Sequence, residues 1–205
     1  EARGQLPPLD TAALEAGLAR GADADLLHRQ VQLQGQWLPQ WTVFLDNRTM
    51  ERRSGFYVLT PLRLAAGDQV VLVLRGWAPR DSADRSRLPP LQTPAGPVEV
   101  AGRLILRPPP TFALGAESSG PIRQNLDLPA YTRETGLPLA GLLVQQLGPA
   151  DEGLARHWPP PASGVETNYG YAVQWFGLCA LIAGLLLWFQ VVRPLRSSRR
   201  DSAVR

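Results

Sequence analysis

The sequence contains no lysine, one cysteine and two histidines, and each scarcity excludes a class of site. All 21 basic residues are arginine, which together with abundant Ala, Gly, Pro and Leu indicates the codon bias of a GC-rich genome rather than an arginine-rich binding surface. The single cysteine, Cys179, lies within an apolar run. The chain can therefore form neither an intramolecular disulfide nor a metal site built on several cysteines.

Reactive side chains are too few to suggest catalysis. His28 and His157 are the only imidazoles available as a general base, and neither lies in a recognisable motif. The sequence has no glycine-rich phosphate loop, HExxH motif or acidic metal loop. One charged cluster is more typical of a solvated loop than of a site, and it comprises Arg80, Asp81, Asp84, Arg85 and Arg87. We therefore predict that the protein is not an enzyme, with no catalytic residue and no metal ligand.

The net charge of +3 is unevenly distributed. Residues 1–168 hold 16 arginines against 17 acidic residues, whereas 193–205 hold five arginines against Asp201. A nucleic-acid-binding domain would carry its excess of basic residues on the folded domain itself. Here the excess lies in a short tail beside an apolar run, so we predict no nucleic-acid partner and a tail next to a membrane.

The C-terminal part of the chain has the pattern of a membrane-spanning helix. Residues 172–192 carry no charge, and about 20 apolar residues are enough to cross the hydrocarbon core as a helix. Tyrosine, tryptophan and phenylalanine flank the run at both ends, as in an aromatic belt. We predict a transmembrane helix over 169–192, the alternative being a buried core helix of a soluble protein. The positive-inside rule then places the basic tail 193–205 in the cytoplasm and the main domain in the periplasm of a bacterial inner membrane.

Small residues share one face of this helix. Gly177, Ala180 and Gly184 are spaced by three and four, which would let a second helix approach closely. The alternative is that a Leu- and Ala-rich span shows such a face by chance. Because the chain begins at Glu1 rather than Met, we expect that an upstream segment has been removed or left out.

Residues 1–147 read as an extracytoplasmic β-rich domain with an N-terminal helix. Asp10 and Thr11 can cap a helix that Gly21 ends, and a second short helix is expected over 23–29. Seven short alternating or β-branched segments then follow, at 31–37, 42–46, 56–62, 70–77, 98–104, 122–126 and 142–147. Turn signals separate them, one at Asp46-Asn47.

These segments predict a mainly β fold with short helices, in which the strands form an antiparallel barrel or sandwich. One further short helix is expected between Asp127 and Gly136. The stretch 148–168 is rich in Pro and Gly and reads as a stiff linker to the membrane. From the residues alone, the chain is an envelope binding or scaffolding module.

Seven segments form a distinctive series: GQWLPQWTVFLDNRTM at 35–50, GFYVLTPLRL at 55–64, RGWAPRD at 75–81, DRSRLPP at 84–90, TPAGPVEVAGRL at 93–104, IRQNLDL at 122–128 and YAVQWFGL at 171–178. This series resembles the surfeit locus protein 1 family. No single motif carries the resemblance, but the order and spacing fit across most of 30–190. Within RGWAPRD, the pair Gly76-Trp77 would place an aromatic ring either at a rim of the domain or in its core.

The resemblance implies a role in respiration. Members of the family are assembly factors for haem–copper cytochrome oxidase, and they carry two transmembrane helices around a β-rich domain outside the cytoplasm. It therefore implies an upstream first helix, subunit I and other assembly factors as partners, and help in placing haem a, which would bind at most transiently. The alternatives are a haem-binding carrier and a generic envelope scaffold unconnected to respiration.

The resemblance also points to haem-ligand candidates. In some members a histidine just before the YAxxWF-like stretch is the proposed ligand, and Asn168 occupies the corresponding position here. Asparagine is a poor iron ligand, whereas imidazole is a good one. Tyr169, as an oxygen ligand, and His157, if the linker folds back, are the candidates that remain. The alternative role of Tyr169 is anchoring at the membrane interface.

Overall fold

The computed structural model describes residues 6–84, 87–106, 108, 120–150, 152–158, 165–188 and 190. The strands are β1 (Gln30–Trp37), β2 (Val43–Met50), β3 (Arg53–Leu64), β4 (Val70–Pro79), β5 (Pro97–Ile105), β6 (Ile122–Arg123) and β7 (Leu139–Gln146). The helices are α1 (Thr11–Ala19), α2 (Asp23–Leu26), α3 (Leu128–Thr135) and α4 (Val165–Leu187). The chain forms two compact units, of which the first ends at His157 and the second begins at Trp158.

Five strands close into a barrel. They follow one another in the order β1, β5, β7, β4 and β3, and the end of β3 returns to pair with β1. Strands β2 and β6 continue the sheet beyond β3 and do not enter the ring. The structure thus confirms a mainly β fold and decides for the barrel over the sandwich. The expected antiparallel pairing fails at β4–β7 and β2–β6, which are parallel, because the long connections that precede β6 and β7 allow crossovers.

The barrel closes at Gly35. Strand β1 pairs with β5 along its length and with β3 only from Gly35 to Trp37, so one residue must let the backbones converge. A Cβ atom at Gly35 would lie 2.3 Å from the carbonyl oxygen of Arg63, closer than any side chain allows. Glycine is therefore required at this position by the close approach of β3.

The core lies inside this ring. Alternating burial along β1 directs Val31 and Leu33 inward, where they meet Val73, Leu104 and further buried aliphatic side chains. Leu14 of α1 belongs to the same cluster. Each such side chain contributes about 2 kcal/mol by leaving water. A second cluster involves Phe44, Phe56, Val58, Ala78 and Leu154.

The predicted helix caps are confirmed. The side chain of Asp10 accepts a hydrogen bond from the Ala13 amide at 2.8 Å, and Gly21 follows the helix with a φ of 68°. Asp127 caps α3, and Gly136 ends it in the left-handed conformation. These ends follow from local chemistry, because a carboxylate satisfies the free first-turn amides and glycine adopts positive φ without strain.

One predicted turn is instead a bulge. The pair Asp46-Asn47 lies inside β2, where the register with β3 shifts between Leu45 and Arg48. Asn47 has a φ of 59° and its amide donates to the Asp46 carboxylate. The signal for a left-handed residue was right, but it marks an extra residue in a strand rather than the end of one.

The second unit contains α4, which begins at Val165 and ends at Leu187. All described side chains between 174 and 186 are exposed, including Phe176 at 77%. Within the described part of the chain, none of the helices combines the length and the apolar character that a bilayer crossing requires. The span predicted over 169–192 includes 189, 191 and 192, and these, like the tail 193–205, lie outside the described residues.

Candidate functional site

A charged side chain occupies the interior at β4. Arg75 is fully buried, and its Nη1 donates to Thr93 Oγ1 at 2.7 Å while its Nη2 donates to the Gln92 carbonyl at 2.9 Å. The guanidinium carbon lies 4.7 Å from the centroid of the Trp37 ring. A buried cation needs such partners, because removing it from water is costly.

One carboxylate faces two arginines at this place. Glu152 lies 3.5 Å from Nη2 of Arg75 and also forms an ion pair with Arg156, whose Nε donates to the Arg75 carbonyl at 2.6 Å. Burial lowers the pKa of Arg75, and the charge of Glu152 acts in the opposite direction. Arginine remains a cation despite such a shift. Arg75, Trp37, Glu152 and Arg156 are called the Arg75 cluster below.

The Arg75 cluster holds in place a segment that belongs to the predicted linker 148–168. Residues 152–157, called the strap, lie against β4, and Ala155 forms an antiparallel bridge with Trp77 through hydrogen bonds of 2.8 and 2.7 Å. Leu154 of the strap is buried over Gly76, where a Cβ atom would lie 2.7 Å from the Leu154 Cβ. The strap is thus packed onto the barrel through backbone pairing, an apolar contact and the buried ion pairs.

Trp77 belongs to the core rather than to a rim. It is 5% exposed, and its indole Nε1 donates to the Arg48 carbonyl at 2.9 Å. Arg48 is itself buried and donates to the Gln124 carbonyl at 2.7 Å. The rim alternative for Trp77 is therefore wrong, because its neighbours enclose both the ring and its one polar atom.

His157 lies at the end of the first unit. Its Nδ1 is 2.7 Å from Glu51 Oε1, and the two side chains are 72% and 67% exposed. His157 is therefore solvated in the structure. Nothing in the structure tests it as a haem ligand, and in that role it stays a prediction.

The other predicted site residues lie in α4. Asn168 and Tyr169 are within the helix, but the side chains of residues 165–173 are outside the description, so Tyr169 also stays a prediction. Gly177, Ala180 and Gly184 are exposed, and no atom comes within 4 Å of a Cβ built on either glycine. This face is therefore open in the isolated chain, and its role in helix packing stays a prediction.

The charged cluster after β4 is a hydrogen-bonded loop. Asp81 accepts from the Ala83 amide at 2.8 Å and pairs with Arg87 at 3.3 Å, and these donors hold the pKa of Asp81 below its usual value. Arg80 pairs with Asp46. Arg85 lies outside the described residues. Among the residues with described positions, no three His, Cys, Asp or Glu side chains are grouped to hold a metal ion.

Sequence reasoning missed Arg75 and the docking of the strap. The signal for Arg75 was present, because a lone arginine interrupts the apolar strand segment VVLVLRGW at 70–77. A single charge at a position between buried strand residues indicates a buried cation with dedicated partners. The strap offered no comparable signal, since Pro and Gly in its surroundings indicate a connection whether or not it is packed.

Comparison with known proteins identifies the family of this chain. A model of the SURF1 family matches residues 1–180. A SURF1-like protein of Rickettsia prowazekii (strain Madrid E) is 42% identical over 55 residues, which are 26% of this chain and 22% of that protein. The chain thus matches about a fifth of the length of this relative. Because the family model covers most of the chain, the protein belongs to the SURF1 family, the surfeit locus protein 1 family that the sequence segments resemble.

Proposed function

We propose that this protein is a membrane-anchored assembly factor for haem–copper cytochrome oxidase in a bacterial inner membrane. In this proposal the barrel domain lies in the periplasm, the tail 193–205 lies in the cytoplasm, and the client is subunit I during insertion of haem a. The family match over residues 1–180 is the observation that carries the proposal, because the SURF1 family is generally associated with cytochrome oxidase assembly.

The exposed apolar surface of α4 supports the anchor. Large side chains are exposed in the described part of the helix from 174 to 186, among them Trp175, Phe176, Leu181 and Ile182. A helix that is apolar on every side is stable when lipid or protein covers it. The uncharged run 172–192 and the basic tail that follows it fit a bilayer as that cover.

The geometry of the domain supports a holding role rather than a chemical one. Among the described residues, the buried arginines Arg75 and Arg123 are engaged in structural ion pairs, and the buried Arg48 and Tyr131 donate to backbone carbonyls. The Arg75 cluster fixes the strap, from which the chain continues toward α4. A factor that holds a membrane subunit for maturation needs a stably folded domain, and it needs no catalytic group.

The test is a reduced-minus-oxidised spectrum of membranes from a strain that lacks this gene, beside its parent. The proposal predicts that the haem a signal falls while the b- and c-type cytochromes persist, and that the intact gene restores the signal. Unchanged spectra under conditions that express the oxidase would refute it and would favour a generic envelope scaffold. Complementation with Tyr169→Phe and His157→Ala then tests the two haem-ligand candidates separately.

A further inference from the structure

The outer face of the barrel carries a trough that none of the roles above uses. Two adjoining depressions of about 510 and 550 Å³ share Gln34, Ala65 and Glu99 and form one trough along β1. Its walls are the start of α1, the end of β3 with the turn that follows, and the start of β5. The trough therefore follows a strand that is fixed on both sides by the closure of the barrel.

The floor of the trough is rich in side-chain amides. Gln32, Gln34 and Gln36 are exposed at alternate positions of β1, so that all three lie on the outer face. Each amide offers both donors and an acceptor, the same groups that a peptide bond presents. Gly35 faces the interior of the barrel and contributes only its backbone to this lining. Such a floor matches the alternating donors and acceptors of an extended peptide.

The two parts of the trough differ in charge. Asp10 lines one part and Arg63 lines the other, while Glu99 lies where the two parts join. Asp10 accepts from the Ala13 amide and Glu99 accepts from Gln32 Nε2 at 3.0 Å, which fixes both carboxylates at the walls. A basic side chain is complementary to the first part and an acidic side chain to the second.

We infer that this trough binds an extended segment of the client protein, with a basic side chain between Asp10 and Glu99 and an acidic one toward Arg63. The inference rests on the proposed function, because it takes the client to be a subunit of the oxidase. The segment adds no strand to the sheet, since β1 is paired with β5 on one side. On its other side the backbone groups of Gln32 and Gln34 already bond to Leu9, Thr11 and Ala65, and β3 pairs from Gly35 onward. Recognition is through the amides and through charge.

The experiment uses the full chain in its own membranes, with p-benzoylphenylalanine in place of Gln34. Ultraviolet light should produce an adduct whose digest contains a peptide of an oxidase subunit. Glu99→Arg should reduce that adduct at least fivefold, because it places a cation against the basic side chain. Glu99→Gln, which removes the charge but retains an acceptor for Gln32, should reduce it less.

Matched controls separate the trough from the general surface. Asp25→Arg is the same kind of charge reversal on α2, away from the trough lining, and it should leave the adduct unchanged. The photoreactive residue in place of Arg133, an exposed position of α3, should give no oxidase adduct. Thermal unfolding of Glu99→Arg should match the parent, which excludes misfolding as the cause of a loss.

Failure of this inference can be told apart from failure of the proposed function. If Gln34 gives only lipid adducts or none, or if Glu99→Arg leaves an oxidase adduct intact, the trough is not the binding site for a basic client segment. Should the haem a signal still fall in the deletion strain, the proposed function survives that result. If deletion of the gene leaves the spectra unchanged, both the proposed function and the inference about the trough are refuted.

Discussion

Buried arginines hold loops and short segments of this chain in place. Arg75, Arg48 and Arg123 are nearly inaccessible to solvent, and each donates to a backbone carbonyl of a loop or short segment outside its own strand pairings. A planar guanidinium with five donors can satisfy several acceptors at once. In a sequence without lysine, arginine is the only cation available for these positions.

Removing the carboxylate of the Arg75 cluster should destabilise the protein strongly. In Glu152→Ala, Arg75 would stay buried while its ionic partner is lost, and we expect the free energy of unfolding to fall by about 3 kcal/mol. The measurement is guanidinium-induced unfolding of the purified chain. Glu51→Ala is the control, because Glu51 pairs with His157 and both side chains are mostly exposed, at 67% and 72%, so it should cost about 1 kcal/mol or less. Equal losses would contradict the importance of burial.

Tyr131 should make the fold sensitive to alkali. Its ring is buried, its hydroxyl donates to the Trp41 carbonyl, and burial raises its pKa. Because the unfolded chain loses this proton first, near the ordinary tyrosine pKa of about 10, the stability is complete below that pH and declines as the pH rises above it.

The expected result is a stability curve that falls above pH 10 in the parent and falls less in Tyr131→Phe. A residual decline is expected, since burial also raises the pKa of Tyr57. Unfolding midpoints between pH 8 and pH 11 measure the effect. Identical slopes in the two proteins would show that Tyr131 does not carry the dependence.

At the level of elements, the strap is a packed part of the barrel domain. Ala155 continues the sheet at Trp77, and Leu154 fills the space that Gly76 leaves free. A methyl group at Gly76 would meet the Leu154 Cβ at 2.7 Å and the Ala155 carbonyl oxygen at 3.0 Å. Gly76 is therefore a residue of β4 whose lack of a side chain allows the strap to pack against the strand.

Gly76→Ala should release the strap. We expect trypsin to cleave after Arg156 at least several times faster in this variant than in the parent, because the arginine leaves its buried ion pair. Limited proteolysis followed by mass spectrometry measures the rate. Gly177→Ala is the control, since an added Cβ there meets no atom within 4 Å. Unchanged cleavage in Gly76→Ala would mean that the strap tolerates the displacement.

For the whole molecule, the single cysteine allows the proposed topology to be tested. If α4 crosses the bilayer, Cys179 should react with a membrane-impermeant maleimide only after detergent is added, although it is exposed in the isolated chain. In a Cys179→Ala background, Ala101→Cys on the exposed face of β5 should be labelled in intact spheroplasts, and Ser202→Cys in the tail should be labelled only after lysis. Labelling of Ser202→Cys from outside would contradict the orientation.

The sequence by itself determined the features that depend on neighbouring residues. Alternating or β-branched segments located all seven strands of the described residues, with ends shifted by a few residues, and Asp10 and Asp127 located two helix starts. The order of segments at 35–178 was enough to indicate the family. These features were accessible because side-chain periodicity and capping act within a few residues.

Only the tertiary structure decided how the segments meet. Closure of the barrel at Gly35, the parallel pairing of β7 with β4, and the docking of the strap each join residues that are distant in the chain. The same pattern of strand segments is compatible with a sandwich as well as with a barrel. The pair Asp46-Asn47 is likewise compatible with a turn between strands as well as with a bulge within one. The burial of Arg75 likewise depends on Glu152 and Thr93, which the local sequence does not place beside it. Long-range packing decides among such alternatives, because the free energy gained by burying a face depends on which partner covers it.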